Sequence, residues 1–214
     1  MLEYVDVLDC AANKTGEIIT RYAAHRTGTW HGAFHCLIVY EREGQGYVLF
    51  QKRSMSKKIA PGKFDVSVGG HYASGEDAAT AGPREIKEEL GLDIKFKDLY
   101  PIGRRIFVHG QRRGIVEHEF QDVFLLLRPL VPHTLTLQQE ELDGVIEMGV
   151  KEGIKLFSQK ELQTPCLFYE NRGASNSILS VSADDFVFCI DNYYLKLLLL
   201  TQRFLHGAHD PLVI

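Results

Sequence analysis

No stretch of this chain is both long and apolar enough to cross a bilayer. The most hydrophobic one, Tyr193 to Leu205, is short and is interrupted by Lys196, Gln202 and Arg203. The chain does not open with the basic, apolar and small-residue succession of a secretory signal, so a cytoplasmic protein is expected, with no membrane partner. Lysines and arginines form no run able to track a phosphate backbone, and 28 acidic against 24 basic residues leave a formal charge of -4. Nucleic acid is therefore not an expected partner. Cysteine is scarce. Cys10, Cys36, Cys166 and Cys189 are scattered and fit no metal-ligand spacing, which reads as reduced, mostly buried thiols. Internal repeats and low-complexity tracts are missing too.

What is present suffices for an ordinary core: 214 residues, 45% of them apolar, make one good-sized domain or a smaller one with an extension. Glu3 to Asp9 and Glu17 to Tyr22, around the turn Asn13-Lys14-Thr15-Gly16, read as an N-terminal hairpin. Ala33 to Glu41 and Tyr47 to Arg53 form a second hairpin around a glycine-bearing loop. A short strand follows at Phe64 to Val68. From Asp77 to Leu90 the period becomes helical, with Ala79, Ile86 and Leu90 on one side and Gly91 as the stop. Ile102 to Val108, Ile115 to Leu127 and Val145 to Met148 read as strands, and Val150 to Phe157 as a helix. A loop-rich segment around Asn171 to Asn176 leads to a long amphipathic helix, Asp185 to Leu205. This order predicts an α+β fold, a mixed sheet sandwiched by helices. Its parts are an N-terminal hairpin extension over residues 1–30, a central domain over 31–165, and a C-terminal extension over 166–214 whose long helix packs on the domain. The face containing Tyr193-Tyr194-Leu195 serves either to pack on the sheet or to line a homodimer interface.

The chemistry concentrates on the central helix. Glu85 and Glu89 are one turn apart and Glu88 lies about 60° from Glu85, so the three carboxylates converge on one edge. Three like charges there repel one another unless a hard divalent cation joins them, and oxygen ligands at this density suit Mg2+ or Mn2+. The bland alternative is a solvated Glu-rich face. The flanking residues argue against it. Gly69-Gly70 allows a tight turn from strand to loop, Gly91 allows a left-handed helix end, and Arg84 is able to pair with a carboxylate and orient it. Pro83 stands where a helix former is expected. Either the helix kinks there, or its regular part begins at Pro83.

Read from Gly70, the pattern is Gly, five residues, Glu76, seven residues, then Arg84-Glu85-Ile86-Lys87-Glu88-Glu89-Leu90-Gly91-Leu92. It resembles the Nudix box at every fixed position, which implies a Nudix-type α/β/α sandwich that hydrolyses diphosphate linkages. The resemblance makes Glu88 and Glu89 the main metal ligands and Glu85 a further one. One of the set would orient or deprotonate water, and Arg84 and Glu76 would hold the structure. Gln51 to Lys58, Pro61 to Phe64 and Gly69-Gly70-His71 also resemble the isopentenyl diphosphate isomerase branch of the superfamily, over most of residues 20–125. In that branch the positions of Arg53 and Lys57 hold the substrate diphosphate, although as residues alone they are also readable as exposed charges. The same branch binds a metal at the positions of His25, His31, His71, Glu117 and Glu119, which implies a second divalent site for manganese, zinc or magnesium.

One departure separates the chain from the isomerases. Their catalytic cysteine falls at Gly69, which is unable to donate or remove a proton. The expected activity is therefore Mg2+-dependent hydrolysis of a nucleoside diphosphate derivative or related organic diphosphate. Glu85, Glu88, Glu89 and Arg84 would carry the reaction, and Arg53, Lys57 and Gly70 would meet the substrate. Isomerisation and a non-catalytic ligand-binding module are the alternatives.

Overall fold

A computed structural model describes residues 2–111, 114–159, 162–171, 176–208 and 212–214. Within them a nine-stranded mixed sheet carries helices on both faces, together with a separate two-stranded hairpin, as the α+β expectation requires.

Strands β1 (Tyr4–Leu8) and β2 (Lys14–Thr20) form the hairpin. The second expected strand stops earlier than Tyr22, because Thr20 caps a short helix, α1 (Arg21–Thr27). The Thr20 side chain accepts the Ala23 N–H at 3.2 Å, and Gly28, at φ 65°, closes the helix in the left-handed conformation. The cap and the glycine were both in the sequence, but the strand-like Ile18-Ile19 masked them.

The main sheet runs, in order, Asn176–Ser182 (β11), Gln163–Glu170 (β10), Leu142–Gly149 (β9), Gln45–Arg53 (β4), His31–Arg42 (β3), Ile115–Leu127 (β8) and Tyr100–Gln111 (β7), with β3 parallel to β8 and the remaining pairs antiparallel. Strands β4 (Gln45–Arg53), β7 (Tyr100–Gln111) and β9 (Leu142–Gly149) fall close to where the alternation of side chains placed them. The expected loop His109 to Gly114 is narrower than the pattern suggested, since β7 continues to Gln111; Arg112 and Arg113 lie outside the described residues.

The expected strand Phe64 to Val68 is two strands, β5 (Phe64–Asp65) on β4 and β6 (Val68–His71) on β3. This split creates a fork. β3 pairs with β4 only over Val39 to Arg42, and its earlier half pairs with β6 instead. Ser67 plugs the crotch: its buried hydroxyl accepts the Ile38 N–H at 2.8 Å and donates to the Leu49 carbonyl. Two strand groups that lose their ladder partners are thereby satisfied.

Helix α2 (Ala78–Leu90) packs on one face over Phe34, Cys36, Ile38 and Leu49. It begins at Ala78 and continues through Pro83, so Pro83 is not its first residue. Ile86 and Leu90 are buried as expected, but Ala79 is exposed and Ala81 and Gly82 take the inward positions. Gly82 sits against Phe34, where a β-carbon would come within 2.7 Å of the ring, and this contact sets the helix's rotation.

The other face carries α3 (Val150–Ser158) and α4 (Tyr193–Leu205) over Leu37, Val39, Val48 and Phe50. Strands that were not expected, β10 (Gln163–Glu170) and β11 (Asn176–Ser182), flank the stretch Asn171 to Asn176 read as loop-rich and extend the sheet; residues 172–175 of that stretch lie outside the described residues. The final helix is shorter than expected. Ala183–Asp185 is a single 3-10 turn, the Val187 N–H then bonds to the Phe64 carbonyl, and α4 starts after Asn192 in the left-handed region at φ 54°. No described helix is long and apolar enough to cross a membrane.

Candidate active site

The fork aims two sets of side chains at its mouth. On the α2 side, Arg84 gathers Glu76, Glu85 and Glu88. Its Nε and Nη2 bind Glu76 at 2.8 and 2.7 Å, and its Nη1 lies 3.0 Å from both Glu85 and Glu88. Glu76 also accepts the Ala73 N–H at 2.9 Å, which ties the loop after β6 to the helix. Asp77 caps the helix by accepting the Thr80 N–H, and Gly91 closes it at φ 70° with its N–H on the Lys87 carbonyl. The one-turn spacing thus becomes a fixed acidic edge.

Burial grades that edge. Glu88 is half exposed, Glu85 is nearly covered, and Glu89 is buried with Gln51 Nε2 at 3.3 Å from its carboxylate. Burial pushes Glu85 up to about 7 against the pull of Arg84, with Glu88 and Glu76 adding repulsion. Burial likewise holds Glu89 well above the usual carboxylate range, reinforced by Glu85 and Glu141 and opposed by Lys57 and the Gly69 N–H. Two covered carboxyls that resist ionising side by side suit a divalent cation as their common partner. The glycine that precedes them has a steric reason: a β-carbon on Gly70 would overlap the Glu85 carboxyl.

Lys57 lies beside this edge in an ion pair with Glu141, a residue the sequence did not single out. Arg53 is held more tightly: its Nε and Nη2 donate to the Ile59 carbonyl at 3.2 and 3.0 Å, and its Nη1 lies 3.5 Å from Asp65.

On the opposite face of the sheet, four residues from four elements converge. His25 comes from α1, His31 from the start of β3, His71 from the end of β6 and Glu119 from β8, with one potential ligand atom of each within 4.8 Å of all the others. The sheet explains the meeting, since His31 is the parallel partner of Glu119, and β6 brings His71 alongside Ala33. Glu117, on the same side of β8, is buried but is not one of the four.

The imidazoles are arranged as ligands. His31 donates its Nδ1–H to the Thr29 carbonyl at 2.9 Å, which leaves a lone pair on Nε2. That Nε2 and the Nε2 of His25 are buried polar atoms without a hydrogen-bond partner among the described residues. His71 Nε2 lies 3.0 Å from Glu119. Burial lowers His25 to about 4 and His71 to about 3, keeping both neutral. Burial alone would raise Glu119, yet His71 and His31 hold it well below the usual range. Orphaned imidazole nitrogens facing an ionised carboxylate are the donor set that a divalent transition metal completes.

Sequence reasoning missed the polar cluster between this set and α4. Arg105 is buried and binds Asp191 through two contacts, at 2.8 and 2.7 Å, and Gln121 at 2.9 Å, while Gln121 in turn donates to Glu119 at 2.7 Å. His35 Nδ1 meets the Tyr193 hydroxyl at 3.0 Å. Residue alternation along β3 puts His35 on the face of His31, but its partner lies 158 positions away, beyond the reach of local patterning.

Residues 29–165 match the family model of the NUDIX domain, and this chain belongs to the Nudix hydrolase family. It is 33% identical over 160 residues to an uncharacterized Nudix hydrolase of Clostridium acetobutylicum, an alignment spanning 74% of this chain and 75% of that one. It is 34% identical over 166 residues to Nudix hydrolase 3 of Arabidopsis thaliana, covering 74% of this chain but 21% of that much longer protein. An isopentenyl-diphosphate Delta-isomerase of Citrobacter koseri is 38% identical over 124 residues, 57% of this chain and 65% of the isomerase. A crystal structure from Deinococcus radiodurans superposes with a TM-score of 0.54 at 21% identity, over 73% of this chain and 89% of that one, a likeness of fold.

Proposed function

We propose that this Nudix protein is a divalent-metal-dependent hydrolase that cleaves a diphosphate linkage in a nucleoside diphosphate derivative or related organic diphosphate. The observation that carries the reading is the complete set of box carboxylates on α2, with Arg84 at 3.0 Å from both Glu85 and Glu88 and buried Glu89 close enough to Glu85 to repel it. Magnesium or manganese held there would neutralise diphosphate charge and acidify water.

The chain's own groups supply the rest. Arg84 fixes the carboxylates in place through Glu76, and Gly70 leaves room for Glu85. Lys57, a cation beside the edge, would meet a phosphoryl oxygen by exchanging Glu141 for substrate, and Arg53 shapes the loop that carries Lys57. One of Glu85, Glu88 and Glu89 would orient or deprotonate the attacking water. His25, His31, His71 and Glu119, with Glu117 beside them, would hold a second divalent ion. Isomerisation is disfavoured because Gly69 offers no proton donor. The domain reading is part of the same proposal: residues 31–165 hold the chemistry, with 1–30 and 166–214 as extensions that contribute His25 and Tyr193 to its walls.

The test is a panel of nucleoside diphosphate sugars, dinucleoside polyphosphates, coenzymes and prenyl diphosphates with Mg2+, read by phosphate or nucleotide release, alongside Glu88→Gln. Half-exposed Glu88 is dispensable for packing, so that variant should fold normally and lose at least about a hundredfold in turnover. Silence across the panel, or unchanged turnover, contradicts the reading. Conversion of isopentenyl diphosphate to dimethylallyl diphosphate without phosphate release favours the isomerase instead.

A further inference from the structure

The two oxygens of Glu119, the carboxylate of the four-residue cluster, have different neighbours. Oε1 lies 3.0 Å from His71 Nε2 and 3.8 Å from His31 Nε2, among the imidazoles. Oε2 instead accepts a hydrogen bond from Gln121 Nε2 at 2.7 Å. The Gln121 amide is oriented by its other neighbour. Arg105 Nη1 lies 2.9 Å from Gln121 Oε1, and a guanidinium only donates, so the amide oxygen must turn to Arg105 and the amide N–H to Glu119. The reversed amide would set donor against donor at Arg105 and acceptor against acceptor at Glu119. Sheet register makes the meeting possible: Arg105 on β7 is the cross-strand partner of Gln121 on β8, and Glu119 lies two residues along on the same face.

Arg105 is itself held from three sides. Its Nε and Nη2 bind the two carboxylate oxygens of Asp191 at 2.8 and 2.7 Å, and its guanidinium lies 3.9 Å from the Tyr193 ring centroid and 4.6 Å from that of Phe107. The Arg105 side chain is only 6% exposed. Without Asp191, an uncompensated buried positive charge would therefore stand one side chain away from a site for a cation. Asp191 and Tyr193 both lie beyond residues 29–165, outside the stretch that matches the family model. A segment that the domain match leaves out is thus joined to Glu119 by an unbroken series of hydrogen bonds, Asp191 to Arg105 to Gln121 to Glu119.

We propose that Gln121 is the positioning residue of the histidine and glutamate site and Asp191 its anchor: acting through Arg105, they hold Glu119 so that it offers Oε1 alone to a divalent ion. The inference rests on the second-metal reading and deepens it, because it makes the segment before α4 part of the site. Neither residue touches the ion. Outer partners of this kind set the direction of a ligand's lone pairs, and losing one typically weakens metal binding about ten- to a hundredfold.

Titration of the full chain with Co2+, read by visible absorption, tests this, since the bands of cobalt differ between imidazole ligands and the oxygen ligands of the box. The wild-type protein should show bands that vanish in His71→Gln. Gln121→Met, close in volume but without the amide's donor and acceptor, should bind Co2+ at least about tenfold more weakly. Its bands at saturating Co2+ should also move, because Glu119 is free to turn. Asp191→Asn is at a partly exposed position and keeps one acceptor oxygen, so it should fold and show a smaller change in the same direction. Leu198→Val, a core change on α4 at the contact with Gly153, controls for lost stability: it should lower Tm and leave the bands in place. Absence of histidine-dependent bands in the wild type overturns the inference and the second-metal reading together. Bands that are present, with affinity and position unchanged in Gln121→Met or in Asp191→Asn, overturn the inference and leave that reading intact. Weaker binding with unmoved bands, matched by Leu198→Val, overturns it too, since the hydrogen-bond series is then a core feature only.

Discussion

Gly70 and Glu85 occupy each other's space: the missing β-carbon of the glycine is where the glutamate carboxyl lies. A strand residue and a helix residue fifteen positions apart in sequence are thus bound to one geometry, and a single methyl group separates a formed acidic edge from a displaced one.

Gly70→Ala should therefore impair activity more than folding. The atom that must yield is the end of a flexible side chain, so Glu85 swings away and the protein persists, with Tm lowered by a few degrees and turnover reduced at least about tenfold. Gly69→Ala is the control for backbone effects, because its new methyl meets nothing closer than 3.5 Å. Its Tm should stay near that of the wild type. Comparable thermal losses in the two variants would remove the steric account.

Arg84→Lys keeps the charge and loses the fork. The guanidinium spans Glu76, Glu85 and Glu88 at once, and an ammonium is unable to reproduce the two contacts to Glu76. The loop after β6 then loses its tie to α2. Destabilisation on the order of 1–2 kcal/mol is expected in urea titrations. Weaker Mg2+ protection against thermal unfolding should accompany it, since the carboxylates are no longer aligned. Retention of wild-type metal protection would show that Arg84 orients nothing.

The histidine cluster sets a pH dependence. His25 falls from an ordinary 6.5 to about 4 through burial, so between those values the unfolded chain binds a proton that the folded chain refuses. Its contribution to stability is complete above about 6.5 and is lost as pH drops through 4; His71 acts in the same direction. Urea midpoints of the metal-free protein should fall between pH 7.5 and pH 5, and the fall should shrink in His25→Asn. Mn2+ or Zn2+ should steepen it, because only the unprotonated rings bind metal. An identical slope in wild type and variant would contradict the burial account.

Local rules made the box helix legible, because a helical period and a terminal glycine place Glu85, Glu88 and Glu89 on one edge without knowledge of the sheet. Most strands of the central sheet were visible for the same reason, whereas β10, β11 and the split between β5 and β6 were not. What escaped depended on distant partners. Helix α1 was hidden because Ile18-Ile19 extended a strand pattern into its cap. His35 looked like one of nine histidines until Tyr193 and Gly69 came into place beside it. Resemblance brought His25, His31, His71 and Glu119 together on paper. The fork, where β6 replaces β4 alongside β3, is the physical reason that they meet.

Gly82 tests whether helix placement governs the acidic edge. Alanine is the better helix former by about 1 kcal/mol, which alone would stabilise α2. Its methyl, however, would stand 2.7 Å from Phe34 Cε2 and 3.2 Å from Leu99. Phe34 has no freedom to retreat, being fully buried and stacked on Phe124 at 5.4 Å. Overpacking of this kind costs about 1–3 kcal/mol, which outweighs the gain in propensity. Gly82→Ala should therefore lower the urea midpoint and, by lifting the helix from β3, reduce turnover as well. Phe34→Leu in the same chain should restore part of both. A double-mutant cycle gives the coupling, and an interaction energy near zero would mean that the helix is not seated by this contact.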